Sequence, residues 1–179
     1  LQEFASLIEK SGERLMDTLT GVLNLSKLEA GEMDLSVGPV DLPAEAAQVA
    51  EELRPQAEEK GLDFQVESGD APARAWADAG GVQIVLRNLV SNAIKYTESG
   101  GEVQVRIYQE EGEAVLEVDD SGIGMDPGRL ETLFEPFRQA SEGVSRAYEG
   151  TGLGLALTRK TTRQMGGRLE VETEKGEGT

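Results

Sequence analysis

The sequence predicts an α+β fold, a two-layer α/β sandwich in which a mixed sheet packs on helices, preceded by one long N-terminal helix. Helical periodicity and strand-like alternation mix along the chain without the regular βαβ order of a parallel sheet. A length of 179 residues with 38% hydrophobic residues is enough for one domain with a sizeable core. The helical pattern of residues 1–31 is longer than such a domain needs, so we treat it as an addition.

The composition excludes several classes of function. The chain carries 34 acidic and 17 basic residues, a net charge of −17, which disfavours nucleic-acid binding. It contains no cysteine and no histidine, which excludes disulfide scaffolds, Cys/His zinc sites, thiol nucleophiles and Ser-His-Asp triads. No apolar run approaches the roughly 18 residues of a membrane span, so we predict no transmembrane segment in this chain. We expect a cytoplasmic location, and membrane anchoring of a longer parent protein stays open.

The first element is a helix over residues 1–31. Apolar residues recur at spacings of three and four, close to a heptad pattern, and Gly31 follows as the stop. This helix either packs on its own domain or forms half of a helical hairpin that dimerises. A length of about 30 residues favours the hairpin. We therefore divide the chain into 1–31 and a second domain at 32–179.

The second domain begins with an extended stretch at 32–42. A helix over 44–60 follows, which ends at Gly61 and in which Pro55 should produce a kink or a shift of register. The further predicted elements are strands at 62–66 and 73–78, a helix at 80–96, a hairpin of strands 102–109 and 114–119, a short helix after the loop 120–128, a helix at 151–165 and a last strand at 168–174.

The first of three clusters with chemical potential lies on the predicted helix 80–96. Asn88 and Asn92 are four residues apart and Lys95 follows three later, so all three share one helix face. An amide oxygen can join the shell of a Mg²⁺ ion that keeps its waters, and an ammonium can neutralise phosphate. Asn and Lys on a helix are also common as plain solvated surface.

The second cluster follows the predicted strand 114–119. Asp120 is succeeded by Gly122 and Gly124, and glycines at such positions let the backbone approach a ligand closely. A carboxylate at a strand end can accept a hydrogen bond from an exocyclic amine. A simple Gly-rich turn is the alternative.

The third cluster opens the predicted helix 151–165. Gly150, Gly152 and Gly154 precede free helix N–H groups, which favour phosphate. The pattern is neither a Walker loop nor the dinucleotide fingerprint. Upstream of it, Phe134 and Phe137 flank Pro136, and with the polar stretch 139–150 they suit a hinged lid; core packing of the two rings is the alternative.

Four patterns occur in a fixed order: Asn-x-x-x-Asn-Ala-x-Lys-Tyr at 88–96, Asp-x-Gly-x-Gly at 120–124, Phe-x-Pro-Phe at 134–137 and Gly-x-Gly-Leu-Gly-Leu at 150–155. This series closely resembles the catalytic ATP-binding domain of sensor histidine kinases, where these are the N, G1, F and G2 boxes. That family belongs to the GHKL superfamily, with type II topoisomerases and heat-shock chaperones. Residues 1–31 resemble the second helix of the family's dimerisation and phosphotransfer hairpin.

The resemblance implies that the chain binds ATP together with Mg²⁺. It implies that Asn92 ligates the metal with support from Asn88, and that Lys95 contacts phosphate. Tyr96 would pack on the nucleotide, and Asp120 would read the adenine amino group. The other implied nucleotide contacts are Gly122 and Gly124 in the base pocket, Phe134 and Phe137 at the lid, Gly150, Thr151, Gly152, Leu153 and Gly154 on the phosphate side, and Thr179 near the adenine.

Position 88 bears on the reaction that the resemblance implies. Hydrolytic members of the superfamily carry a glutamate there as a general base for water, whereas Asn88 cannot accept a proton. Transfer to a supplied nucleophile is therefore the expected reaction. That nucleophile would be a histidine on the first hairpin helix, which we expect upstream of Leu1, so these 179 residues should not phosphorylate themselves.

The implied partners are ATP, the hairpin helix with its acceptor histidine and the receiver domain of a response regulator, in a full-length protein that is a homodimer. A related ATPase or serine kinase is one alternative, disfavoured by Asn88 and by the helix 1–31. A non-enzymatic sensing or scaffolding module that dimerises through 1–31 is another. The intact Asn92, Asp120 and glycines speak against it.

Overall fold

The computed structural model describes residues 2–31, 35–69, 73–138 and 151–179. Its helices and strands are α1 (Gln2–Ala30), β1 (Gly38–Asp41), α2 (Leu42–Lys60), β2 (Asp63–Ser68), β3 (Arg74–Ala77), α3 (Ala79–Tyr96), β4 (Glu102–Glu110), β5 (Glu113–Asp120), α4 (Leu130–Leu133) and α5 (Gly154–Gln164), with a 3₁₀ turn at Pro127–Arg129 before α4. The predicted α+β class, with a mixed sheet packed on helices, is confirmed.

The strands form two sheets. In the larger one β4 lies in the centre, parallel to β2 and antiparallel to β5. Strands β4 and β5 form the predicted hairpin, whose two turn residues, Glu111 and Gly112, both have positive φ, as a tight two-residue turn requires. A separate antiparallel pair, β1 with β3, aligns Val40 with Ala75.

One face of the larger sheet forms the core with α2 and α3. The inward side chains of β4 are Val103, Val105 and Ile107, each 1% exposed. Helix α3 presents Leu86 and Val90 to the same core, at a spacing of one helix turn. The opposite face of α3, which carries Asn88 and Asn92, therefore points away from this core.

Helix α2 begins two residues earlier than predicted. Asp41 caps it, accepting a hydrogen bond from the backbone N of Ala44, and Leu42 starts the first turn. The helix continues through Pro55 to Lys60. Gly61 ends it with φ 71°, a left-handed conformation that favours glycine.

Helix α1 agrees with the predicted helix and packs on α5 at its C-terminal end. Leu25 and Leu28 are buried, and the side-chain amide of Gln164 donates to the carbonyl of Leu28. Lys160 of α5 forms an ion pair with Glu29. Further toward the N-terminus the apolar side chains of α1 are exposed: Leu15, Met16, Leu19 and Leu23.

The predicted last strand, 168–174, is wrong. Residues 167–173 form no strand ladder, and Arg168 instead forms an ion pair with Glu113 at the start of β5. Gly176 and Gly178 have positive φ and turn the chain back. Thr179, rather than 168–174, therefore forms the backbone hydrogen bonds to the end of β5.

Helix α5 is shorter than predicted, because residues 151–153 form a loop before it. In the part of the chain that the structure describes, no helix is long and apolar enough to cross a membrane.

Candidate functional site

The first and third sequence clusters meet in the structure. A Cβ placed on Gly154 would lie 3.2 Å from Oδ1 of Asn88 and 3.7 Å from Nδ2 of Asn92. Glycine at 154 therefore lets the first turn of α5 approach the amide face of α3 closely. The two side-chain amides therefore lie against the N-terminal end of α5.

The same face of α3 ends in a lysine and a tyrosine. The ammonium of Lys95 lies 4.7 Å from the centre of the Tyr96 ring, within the range of a cation–π contact. At the other end of the helix, Asp78 caps α3: its Oδ1 accepts from the backbone N of Gly81 at 2.6 Å, and its Oδ2 accepts from the N of Ser36 at 2.9 Å. The helix is thus fixed at its start by a single carboxylate.

Asp120 ends β5 with its carboxylate held by the loop that follows. Its Oδ1 accepts a hydrogen bond from the backbone N of Gly122 at 2.9 Å. Burial raises the pKa of Asp120, and the Gly122 N–H opposes that rise in part. Among the described residues, no hydrogen bond reaches the other oxygen of Asp120, and a partly desolvated carboxylate of this kind is suited to accept one from a ligand amine.

The loop after Asp120 is packed too tightly for side chains at its glycines. A Cβ on Gly122 would lie 2.6 Å from the carbonyl oxygen of Tyr96, and one on Gly124, where φ is 56°, would lie 1.9 Å from that of Glu174. Between them, the N of Ile123 donates to the carbonyl of Tyr96 at 3.1 Å. The second cluster is therefore bonded to the end of α3.

The C-terminal turn closes over this loop. Asp120 and Thr179 exchange two backbone hydrogen bonds of 2.9 and 3.2 Å, so Thr179 lies beside the predicted adenine-reading carboxylate. Thr173 accepts from the N of Met125 at 2.9 Å, and its Oγ1 lies 3.0 Å from that of Thr179. Sequence reasoning missed Thr173, because it was placed in a strand and its contact with Met125 spans 48 residues.

A shallow depression of about 350 Å³ also opens beside Thr179. Four acidic side chains line it: Asp119, Glu172, Glu174 and Glu177. These carboxylates would repel a phosphate group, so this depression is not suited to bind one.

Phe134 and Phe137 occupy different environments. Phe134 is buried, and the Arg159 guanidinium of α5 stacks on its ring at 4.5 Å. Phe137 is 63% exposed and has φ 65°, and its backbone N donates to the carbonyl of Gly152 at 2.9 Å. This bond joins the two sides of the predicted lid. The lid segment 139–150, with Gly150, lies outside the described residues.

Leu153 packs between the loop and the N-terminal helix. It is 2% exposed, and its Cδ1 lies 3.1 Å from where Gly21 of α1 would carry a Cβ. Thr151 accepts a hydrogen bond from the Leu153 N at 3.3 Å and shapes the turn into α5. The predicted phosphate loop therefore touches α1 as well as α3.

A two-layer α/β sandwich with a Gly-rich helix entry facing paired amides, beside a carboxylate at a strand end, defines a nucleotide-binding domain. The chain belongs to the family of histidine kinase-, DNA gyrase B- and HSP90-like ATPases, whose family model matches residues 77–179. Within that family it is an ATP-binding domain of the sensor histidine kinase type.

Curated relatives with similar sequences are histidine kinases. The circadian input-output histidine kinase CikA of Synechococcus elongatus is 36% identical over 99% of this chain and 24% of its own length. The histidine protein kinase DivJ of Caulobacter vibrioides is 38% identical over 99% of this chain and 30% of its own length. The chain therefore spans about a quarter to a third of these relatives.

Solved structures agree. Full-length ShkA in complex with AMPPNP has a TM-score of 0.83 and 31% identity, over 99% of this chain and 36% of that one. The histidine kinase AdeS of Acinetobacter baumannii, at 22% identity, shares the fold with a TM-score of 0.77 over 98% of this chain and 79% of that one.

Proposed function

We propose that this chain is the catalytic core of a two-component sensor histidine kinase. It binds ATP with Mg²⁺ and transfers the γ-phosphoryl group to a histidine outside these 179 residues, for relay to a response regulator aspartate. The observation that carries the proposal is the meeting of Gly154 with Asn88 and Asn92, at the same helix whose end holds the Asp120 loop. Phosphate and adenine groups thus have complementary partners in one place.

The base end and the phosphate end of ATP are read by different chemistry. Asp120 accepts from the adenine amino group, which favours adenine over guanine, because guanine presents a carbonyl there. Lys95 and the N-terminal end of α5 supply positive charge to the phosphates. Tyr96 packs on the nucleotide, and Thr179 adds a hydroxyl beside Asp120.

The donor set at Asn92 fits Mg²⁺. Among the described residues no group of three or more Asp, Glu, His or Cys side chains could hold a metal alone. The side-chain amide of Asn92 lies beside Gly154, and its oxygen would suit an ion that keeps most of its waters and is held chiefly by nucleotide phosphates. When bound, the ion would neutralise phosphate charge.

Asn88 favours transfer over hydrolysis, because a side-chain amide is not a base for water. In the transfer, an imidazole nitrogen forms a bond to the γ-phosphorus while the bond to the β–γ bridging oxygen breaks, and ADP leaves with that electron pair. This chain's residues position the nucleotide and offset its charge. The acceptor lies elsewhere because the sequence has no histidine.

The organisation around this core is also a proposal. Residues 1–31 are the second helix of a dimerisation and phosphotransfer hairpin, residues 32–179 are the catalytic domain, and the assembled protein is a cytoplasmic homodimer. Two features support this: the exposed apolar residues of α1, and the extension of the ShkA match over 99% of the chain.

A transfer assay tests the proposal. The purified chain is incubated with ATP labelled on the γ-phosphate and with a separate helical hairpin that carries an acceptor histidine. We expect acid-labile label on the hairpin and little release of free phosphate. The same hairpin with His→Ala is the control. Rapid phosphate release without labelled hairpin would instead identify an ATPase.

A further inference from the structure

The C-terminal end of α3 has donors on all of its last four carbonyl oxygens, which a helix cannot pair internally. Ala93 accepts from the N and Oγ1 of Thr97, Ile94 and Lys95 accept from the ammonium of Lys60, and Tyr96 accepts from the N of Ile123. The end of this helix is therefore tied both to α2 and to the loop after β5.

The ammonium group of Lys60 donates two of the hydrogen bonds at the end of α3. Lys60 is the last residue of α2, and its Nζ lies 2.7 Å from the carbonyl oxygens of both Ile94 and Lys95. Its charge sits at the negative end of the α3 macrodipole. Partial burial lowers the pKa of Lys60, and the nearby charge of Glu98 opposes that shift.

We propose that Lys60 is a positioning residue for the nucleotide site. It fixes the last turn of α3, which carries Lys95 and Tyr96 and holds the adenine-side loop through Ile123. The inference rests on the proposed function, and it adds a group that touches no ligand.

A short series of hydrogen bonds and peptide bonds connects Lys60 to the carboxylate of Asp120. The Lys95 carbonyl that Lys60 holds belongs to the peptide before Tyr96, and the Tyr96 carbonyl accepts from Ile123. Ile123 directly follows Gly122, whose N donates to Asp120. If the ammonium is removed, the last turn of α3 frays toward water and the Ile123 bond loosens with it.

Arg54 offers a matched comparison on the same helix. Its Nη1 donates to the carbonyl of Phe64 in β2 at 3.2 Å, and its guanidinium stacks on the Phe64 ring. Arg54 is thus also a basic residue of α2 whose side chain donates to a backbone carbonyl. That carbonyl belongs to β2, which lies outside the site. Loss of Arg54 should lower stability without changing nucleotide binding.

The experiment compares Lys60→Met, Lys60→Gln, Lys60→Arg and Arg54→Met in the full chain. The first measurement is amide hydrogen exchange of Ile123 without nucleotide, expressed relative to the core amide of Val105 so that global stability cancels. The second is ATP affinity at a temperature where every variant is folded.

We expect Lys60→Met to raise the relative exchange rate of Ile123 and to weaken ATP binding, each by about tenfold, the scale of one lost charge-assisted hydrogen bond. Lys60→Gln, which keeps a donor and folds more readily, should give a smaller change, and Lys60→Arg should restore both properties. Arg54→Met should change neither.

Unchanged Ile123 exchange in Lys60→Met and Lys60→Gln, or an equal effect of Arg54→Met, would overturn the inference. The exchange measurement needs no nucleotide. A wild-type chain that fails to bind ATP would therefore contradict the proposed function, and the role of Lys60 at the helix end would still be decided.

Discussion

Asp120 shows how one residue can trade stability for recognition. Its carboxylate is partly withdrawn from water and bonded by a single loop N–H. Burial raises its pKa, which means that the folded chain holds the Asp120 proton more tightly than the unfolded chain. Above the raised pKa the ionised group therefore costs stability, and this cost disappears as the pH falls below the unfolded pKa.

ATP binding should have the opposite pH dependence. The adenine amine bonds the ionised carboxylate, so affinity is lost as the pH falls through the raised pKa of Asp120, at a higher pH than an ordinary aspartate would give. Calorimetric titration across this range measures the loss. Asp120→Asn, which keeps an oxygen for Gly122, should bind ATP about tenfold more weakly at neutral pH.

Protonation of ATP itself changes the affinity of the wild-type chain and of Asp120→Asn by the same factor. The ratio of wild-type to Asp120→Asn affinity therefore isolates the carboxylate. A ratio that stays constant with pH would show that Asp120 does not bond the adenine amine.

Residues whose chemistry is visible in their type could be proposed as site residues from the sequence. Asn92, Asp120 and the glycines stood out because amides, carboxylates and absent side chains have few competing explanations in that order. Lys60 and Thr173 could not be predicted, since a lysine at a helix end and a threonine in an alternating stretch have no local signal. Their partners are 34 and 48 residues away.

At the scale of elements, the C-terminal turn explains why alternation failed as a predictor at 168–174. A strand needs a ladder of backbone bonds, and the segment instead connects to β5 through Arg168 and Glu113. Two glycines with positive φ then bring Thr179 to Asp120. The backbone pairing with the end of β5 therefore depends on these later glycines, which the strand prediction at 168–174 did not take into account.

Two glycines of this turn form a natural comparison. Both need positive φ, but a Cβ on Gly178 would lie 1.8 Å from the carbonyl oxygen of Asp120, whereas one on Gly176 would meet nothing within 4 Å. Gly176→Ala should cost about 1 kcal/mol from backbone strain alone. Gly178→Ala should cost about 3 kcal/mol, because the turn must also move away from β5.

Urea unfolding of both variants measures this difference. Equal losses would show that the turn does not pack on Asp120 as described. Gly178→Ala should also weaken ATP binding, since Thr179 pairs directly with Asp120.

Across the whole molecule, α1 contacts α5 and the glycine-containing loop before it. Gly21 meets Leu153, and Lys160 of α5 pairs with Glu29. The sequence left open whether this helix packs on its own domain or in a hairpin. In the structure, the last turns of α1 pack on α5, and the apolar side chains in the middle of α1 are exposed. The sequence could not decide between the two, because a narrow apolar stripe does not specify its partner.

The fold class was predictable for the whole molecule because periodicity reports burial directly, as in α3 and β4. The chain has a net charge of −17, so Lys95 and the N-terminal end of α5 present positive charge on an otherwise acidic molecule. Under the proposed function, these few groups carry the binding of the phosphates.

Titration of the chain with ATP, with and without Mg²⁺, is the decisive experiment for a magnesium-dependent ATP site. We expect one ATP per chain and a Mg²⁺-dependent gain in affinity that Asn92→Ala abolishes. Asn24→Ala, the same substitution on α1, should leave that gain intact. Absence of ATP binding, or a Mg²⁺ gain that survives Asn92→Ala, would show that no such site is formed at Asn92.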